Sequence, residues 1–212
     1  MSAFTWPPDP RTSASDERDD AHAGEQIAAA VLVPLFLAGE RSTPYVVLTR
    51  RRADLRRHAG EISFPGGRRD PDDADLETTA LREAEEEIGL ARSQVNVLGT
   101  LPATSTLATS YLIHPFVGEI PSGTAWRLSA REVDAVLELP LEEIRASKTT
   151  TTIERRGITF QTDAYVLGEH VIWGATARIL AQLFARLAPL ERSTVARSPA
   201  SIAAVLSDAL RD

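Results

Sequence analysis

The sequence predicts an α/β fold of short strands interrupted by two or three well-formed helices. Three observations carry that prediction. Residues Phe64 to Leu90 (FPGGRRDPDDADLETTALREAEEEIGL) read as a tight Gly-rich turn, an acidic loop and an amphipathic helix. Apolar or alternating runs over 26–37, 45–49, 111–120 and 133–139 have strand character. Beyond Trp173, the residues Ile179, Leu180, Leu183, Phe184 and Leu187 recur at helical spacing.

The chain has 212 residues, 43% of them hydrophobic, enough for one domain with a normal core and some appendage. Its net charge of -7 argues against nucleic acid as a partner. With no cysteine there is no disulfide framework, zinc ribbon or thiol nucleophile. No apolar run approaches the length of a membrane span, and neither a signal peptide nor a peroxisomal address is visible. A cytoplasmic protein without membrane contact is the expectation.

Residues 1–24 are rich in Pro, Asp, Ser and Arg and read as a flexible N-terminal arm, leaving 25–212 as the domain. Gln26 to Leu37 is too apolar for a surface helix, so a buried strand is expected, with Pro34 near its end or at a bulge. A turn leads to a second strand, Tyr45 to Thr49, and the two form a hairpin. The segment Thr49 to Gly67 then carries a cluster of arginines and His58 within an acidic protein. Such a cluster implies an anionic ligand, and the planar arginine fork suits phosphate.

In the helix that follows, one of Asp72, Asp73 or Asp75 is the expected cap, and Gly89 ends it in the left-handed conformation. Leu76, Ala80, Leu81, Ala84 and Ile88 form its apolar stripe. Glu83, Glu86 and Glu87 fall within an arc of about 100° beside that stripe. Like charges at this spacing repel by roughly 0.2–0.5 kcal/mol per pair. They also crowd the helix end where the dipole disfavours anions. Arg82, within reach of Glu85 or Glu86, cannot neutralise the set alone. A hard divalent cation, Mg2+ or Mn2+, can.

After the helix, Val95 to Leu101 and Tyr111 to Ile120 read as strands joined by a polar loop, with His114 a structural histidine. Val133 to Leu139 alternates as a strand, and Pro140 to Ile144 starts a short helix. Thr149–Glu154 and Ile158–Val166 make a hairpin, too polar for full burial and so placed at the rim of the sheet. Trp173 and Gly174 lead the next helix, and Ser198 caps a last one ending at Leu210, so that C-terminal helices occupy 173–211.

The Gly pair followed by REAEEEIGL resembles the signature of the Nudix hydrolases, G-x5-E-x7-R-E-U-x-E-E-x-G-U with U aliphatic. Arg82, Glu83, Ala84, Glu86, Glu87, Gly89 and Leu90 match it residue by residue. The first half of this box, 67–90, is one residue longer than the pattern. The position expected to carry Glu becomes Asp73 counted forward from Gly67, or Ala74 counted backward from Arg82. Upstream, Val47, Leu48, Thr49, Arg51, Arg56, Gly60 and Phe64-Pro65-Gly66-Gly67 are similar to the extra motif of coenzyme A pyrophosphatases. That motif reads L-L-T-x-R-S-x3-R-x3-G-x3-F-P-G-G, and Arg52 stands here where it has Ser.

The resemblance implies a Nudix-type α/β/α sandwich, with a mixed β-sheet between the box helix and the helix after Trp173. It implies hydrolysis of the diphosphate of coenzyme A or acyl-CoA to 4'-phosphopantetheine, or its acyl form, and 3',5'-adenosine diphosphate. Glu83, Glu86, Glu87 and the Gly67 carbonyl would hold Mg2+ or Mn2+, with Glu86 as base and Arg82 orienting the glutamates. Arg51 and Arg56 would grip phosphates, and Gly60, Phe64, Pro65 and Gly66 would complete the substrate site. Relatives often place an acidic residue near position 132 that reaches the metal. Glu132 is the candidate for it, but the preferred reading is a plain surface glutamate. The rival functions are hydrolysis of ADP-ribose, NADH or a nucleoside triphosphate, and a non-catalytic nucleotide sensor. The arm and the C-terminal helix are candidate contacts for a homodimer.

Overall fold

The computed structural model describes residues 26–39, 43–54, 60–106, 110–155 and 157–192. The N-terminal arm, Arg56, His58 and the helix expected over 198–210 lie outside them. The elements run β1 (Ile27–Ala38), β2 (Thr43–Arg51), β3 (Ile62–Ser63), β4 (Gly66–Arg68), α1 (Leu76–Ile88), β5 (Asn96–Thr100), β6 (Thr104–Ser105) and β7 (Tyr111–Glu119). They continue through β8 (Val133–Pro140), α2 (Leu141–Ala146), β9 (Lys148–Arg155), β10 (Ile158–Leu167), β11 (His170–Trp173) and α3 (Gly174–Arg192). No helix among the described residues is long and apolar enough to cross a membrane.

Among the described residues eight strands form a mixed sheet centred on β1, which runs parallel to β7 and antiparallel to β2. The β1–β2 ladder is short: only Leu35–Ala38 pair with Thr43–Val46. Below that point the two strands part, and the segment 62–68 is wedged between them. Its β3 pairs with Thr49 and Arg50 of β2, and its β4 pairs with Ala29–Val31 of β1. Pro34 sits at this parting. The Leu32 amide donates to Pro65 O, and strand alternation aims the Pro34 nitrogen to the same side, where the ladder to β2 has not begun. A residue without an amide hydrogen is thus tolerated in the middle of a central strand.

Alternation along β1 builds both layers. Ala30, Leu32 and Phe36 face α1 and pack with Ala80, Leu81, Ala84, Ile88 and Leu90. Val33 and Leu35 face the other way, onto Leu141 and Ile144 of α2 and Ile179, Leu180 and Leu183 of α3. The sandwich expected from the sequence is the one observed.

Two local expectations are corrected. The Gly-rich segment is not a free turn, because Gly66–Arg68 is a short strand pressed against β1. The β9–β10 hairpin is not a rim of the main sheet. His170–Trp173, of which the sequence assigns only Trp173 to the next helix, adds β11 to it, and among the described residues the three strands form a separate antiparallel sheet. That sheet reaches the core through Tyr165 and Ile172.

Candidate active site

The site forms where β4 meets α1. Asp75 caps the helix, its carboxylate accepting from Thr78 N at 2.7 Å, and Gly89 closes it with φ 72°. The two carbonyls at the helix end are taken by the chain before β8: Ser129 N donates to Glu87 O at 2.8 Å and Arg127 N to Ile88 O at 3.0 Å. A Cβ on Gly89 would stand 2.8 Å from Arg127 Cβ, so this glycine serves close packing as well as conformation.

The apolar stripe of α1, set against the sheet, brings the adjoining arc of glutamates over β4. A Cβ on Gly67 would lie 2.5 Å from Glu83 Oε1, and one on Gly66 would lie 2.4 Å from Ala30 O. The two glycines therefore let strand, helix carboxylate and backbone approach more closely than side chains permit. The Gly66 amide faces Glu87 and donates to its Oε2 at 3.3 Å.

Arg82 is the hub of the cluster. Its Nε and Nη2 donate to Asp73 Oδ1 and Oδ2, both at 3.0 Å, while Nη1 reaches Glu83 at 3.0 Å and Glu86 at 3.3 Å. Asp73 is buried and also accepts from Thr79 Oγ1 and Asp70 N. These bonds, led by those from Arg82, hold its carboxyl well below the usual carboxylate range against the opposing effect of burial. Counted forward, then, the lengthened box puts an aspartate where the pattern has glutamate, and Asp73 supports Arg82.

Glu87 is the buried member of the cluster. Burial pushes its carboxyl up to about 8, with the neighbouring Glu83 and Glu132 adding to the effect and Arg51 and the Gly66 amide opposing it. Glu83 is raised for the same leading reason. Arg51, at the end of β2, stands 3.7 Å from Glu87 Oε1 and 3.7 Å from Glu132 Oε2. Its Nε is buried and makes no hydrogen bond among the described residues. Among those residues no three acidic or histidine side chains close round a single point. Each box carboxylate leans on a guanidinium instead.

Of the residues singled out from sequence, Arg51, Gly66, Gly67, Arg82, Glu83, Glu86 and Glu87 are thus gathered in one place. Gly60, with φ 70°, has a different part: its amide donates to Arg51 O at 3.2 Å and closes the segment 52–59. Phe64 and Pro65 are both buried, Phe64 in the core beneath the wedge, so their packing anchors the two glycines. Glu132, for which the sequence favours a plain surface position, lies half exposed and meets the cluster through Arg51. The role of the Gly66 amide had no signal in the sequence, because backbone donors leave none.

Residues 26–160 match the NUDIX domain family. The chain is 41% identical over 157 residues to the "Uncharacterized Nudix hydrolase NudL" of Photorhabdus laumondii, covering 73% of this chain and 82% of that one. A protein of the same name from Yersinia pestis is 40% identical over 157 residues, covering 73% of this chain and 77% of its own. In fold, the chain is similar to a MutT/nudix family protein from Enterococcus faecalis, with a TM-score of 0.55 over 85% of this chain and 71% of that one at 15% identity. The Nudix hydrolase RenU from M. smegmatis aligns at a TM-score of 0.53 over 82% of this chain and 90% of its own, at 17% identity. Intact box glutamates, their placement over β4 and these matches agree: the chain belongs to the Nudix hydrolase family.

Proposed function

We propose that the protein hydrolyses the diphosphate bond of coenzyme A or acyl-CoA, releasing 4'-phosphopantetheine or its acyl form and 3',5'-adenosine diphosphate. One observation carries the reading. The arginine-rich segment starts and ends at the carboxylate cluster, since Arg51 N donates to Glu61 O, Gly60 N donates to Arg51 O, and the Arg51 side chain lies against Glu87. A polyanion held by that segment would have its phosphates beside the box glutamates.

The donor set fits a hard divalent cation in its chemistry. It offers carboxylate oxygens at i, i+3 and i+4 and a nearby glycine carbonyl, without sulfur or imidazole. Glu83, Glu86, Glu87 and the Gly67 carbonyl would hold Mg2+ or Mn2+, and Glu132 would add a further oxygen. Bound there, the ion supplies charge neutralisation on the bridging phosphates and a water acidified towards neutrality. The chain's own groups do the rest. Arg82, fixed by Asp73, aims Glu83 and Glu86. Glu86, with its side chain 60% exposed, takes the proton of the attacking water on a carboxylate oxygen. Arg51 turns its unused donors to the diphosphate oxygens, and Arg56 binds the 3'-phosphate.

The test is a metal-supplemented screen of CoA, acyl-CoA, dephospho-CoA, NADH, ADP-ribose and deoxynucleoside triphosphates with product identification. CoA or an acyl-CoA as the best substrate, yielding 3',5'-adenosine diphosphate, is the expected result. Efficient cleavage of ADP-ribose with CoA left intact would overturn the substrate assignment and leave the family membership standing.

A further inference from the structure

The outer strand of the second sheet is a self-complementary edge, and we infer that two copies of this chain pair through it. Among the described residues β9 is hydrogen-bonded to β10 alone, in a continuous register from Lys148↔Tyr165 to Arg155↔Ile158 without a bulge. Its sequence, KTTTTIER, is β-branched through the middle and free of proline. A long, regular, uncovered edge is a template for another strand, and proteins normally blunt such edges with bulges, prolines or covering elements. None of these devices is present on β9 among the described residues.

The partner strand is identified by two independent conditions. The first is hydrogen-bond parity. Val166 N donates to Ser147 O at 3.2 Å, which makes 147↔166 a bonded pair of the antiparallel ladder. By alternation Thr149, Thr151 and Ile153 direct their backbone groups to β10, and Lys148, Thr150, Thr152 and Glu154 direct theirs outward. An antiparallel second copy must therefore set even-numbered residues against even-numbered ones.

The second condition is charge. Centring the pair on Thr151 places Lys148 opposite Glu154 of the second copy, and Glu154 opposite its Lys148. Thr150 then meets Thr152, and Thr149 meets Ile153. This register satisfies parity with four bonded residue pairs and joins opposite charges at both ends. Shifting the centre to Thr152 sets Lys148 against the position of Arg156, and shifting it to Thr150 leaves both charges without an opposite. Lys148 is also held on its own chain by Asp163 at 3.8 Å, on the face where the second copy's Glu154 would arrive. The two three-stranded sheets become one of six strands. Edge pairing over seven residues is small beside a standard interface of ~1,600 Å², so the dimer should be concentration-dependent.

Sedimentation velocity of the full chain over a concentration series is the test. The wild type should show a monomer–dimer equilibrium. Glu154→Lys, which turns two attractive contacts into repulsive ones, should weaken it roughly tenfold or more. The double exchange Lys148→Glu with Glu154→Lys should restore it. Because the chain has no cysteine, single cysteines report the register directly. Thr151→Cys should give a disulfide-linked dimer, since a residue facing itself across a non-bonded pair lies within disulfide reach. Thr152→Cys should not. A chain that stays monomeric at every concentration, a double exchange that fails to restore association, or equal cross-linking at 151 and 152 would overturn the inference.

Discussion

Asp73 and Arg82 are joined by two parallel hydrogen bonds, Nε to Oδ1 and Nη2 to Oδ2, each 3.0 Å long. The free edge of the same guanidinium touches Glu83 and Glu86. A buried acid from the loop thus sets the direction of two helix carboxylates through one arginine, whose planar fork permits only one orientation.

Removing the anchor should be felt in stability and activity together. Asp73→Ala leaves Arg82 without its buried partner but still paired with Glu83 and Glu86, and should cost about 1–3 kcal/mol. The pH response has a definite sign. The Asp73 carboxyl is depressed in the folded chain, so its contribution is complete above the unfolded value of about 3.9 and is lost as pH falls below it. Urea midpoints between pH 4 and pH 2 should drop more steeply for the wild type than for Asp73→Asn.

Glu87 should behave in the opposite sense. Its folded value is pushed up to about 8 from an ordinary 4.5, so the folded chain holds a proton that the unfolded chain releases. Without added metal, stability should therefore fall as pH rises between those values and level off above them. Glu87→Gln keeps an acceptor for the Gly66 amide and should remove the slope, gaining on the order of a few kcal/mol at pH 8. Binding of Mg2+ or Mn2+ at pH 7 should release a proton in the wild type. Calorimetry in buffers of different ionisation enthalpy measures it.

Catalysis should require the divalent ion and the box carboxylates that hold it. Glu83→Gln and Glu87→Gln should each lower kcat about a thousandfold or more, as expected for several kcal/mol of lost transition-state stabilisation. Undiminished turnover by metal-stripped protein in EDTA is the result that would remove the metal from the reading.

The two arginines should separate in kinetics. Arg51 lies at the carboxylates, so Arg51→Ala should raise KM for CoA and dephospho-CoA alike. Arg56→Ala should penalise CoA more, by roughly 1.5–3 kcal/mol, the worth of hydrogen bonds to a charged phosphate. Ratios of kcat/KM for the two substrates decide it.

Gly66 and Gly67 adjoin in sequence but should fail differently. The first atoms met by a Cβ at Gly66 include Ala30 O and Val31 Cα, backbone of a central strand that cannot yield. At Gly67 they belong to the Glu83 carboxylate, the mobile end of a side chain. Gly66→Ala should lose more than ~2 kcal/mol of stability. Gly67→Ala should fold almost normally and lose about a hundredfold in kcat by displacing Glu83. Thermal melts paired with initial rates test both.

The parts of this architecture legible in the sequence are those written in side-chain periodicity. The stripe from Leu76 to Ile88 with its Asp and Gly ends, the apolar run of β1 and the alternation of β8 each reflect burial set by local geometry. What was not legible depends on partners distant in sequence. The β9–β10 hairpin is polar enough to pass for a rim, and only the pairing of Ala164 with Trp173 reveals a sheet of its own. Gly66 and Gly67 carry no side-chain pattern, so a strand there reads as a turn. Phe64 stands within a substrate motif, and its packing in the core is set by partners distant in sequence. Asp73 against Ala74 could not be decided by counting, because one inserted residue permits either alignment until Arg82 is seen to grip Asp73.

The wedge between β1 and β2 has an evolutionary corollary. The stretch 52–59 is clasped at its base by the bonds Arg51 N to Glu61 O and Gly60 N to Arg51 O. What lies between can be lengthened, shortened or rewritten without moving β4 or the helix above it. If that stretch holds the substrate, as proposed above, the scaffold uncouples the choice of molecule from the breaking of its bond. New specificities can be grafted at this clasp as exchangeable cassettes, while the hydrolytic machinery beneath is inherited unaltered.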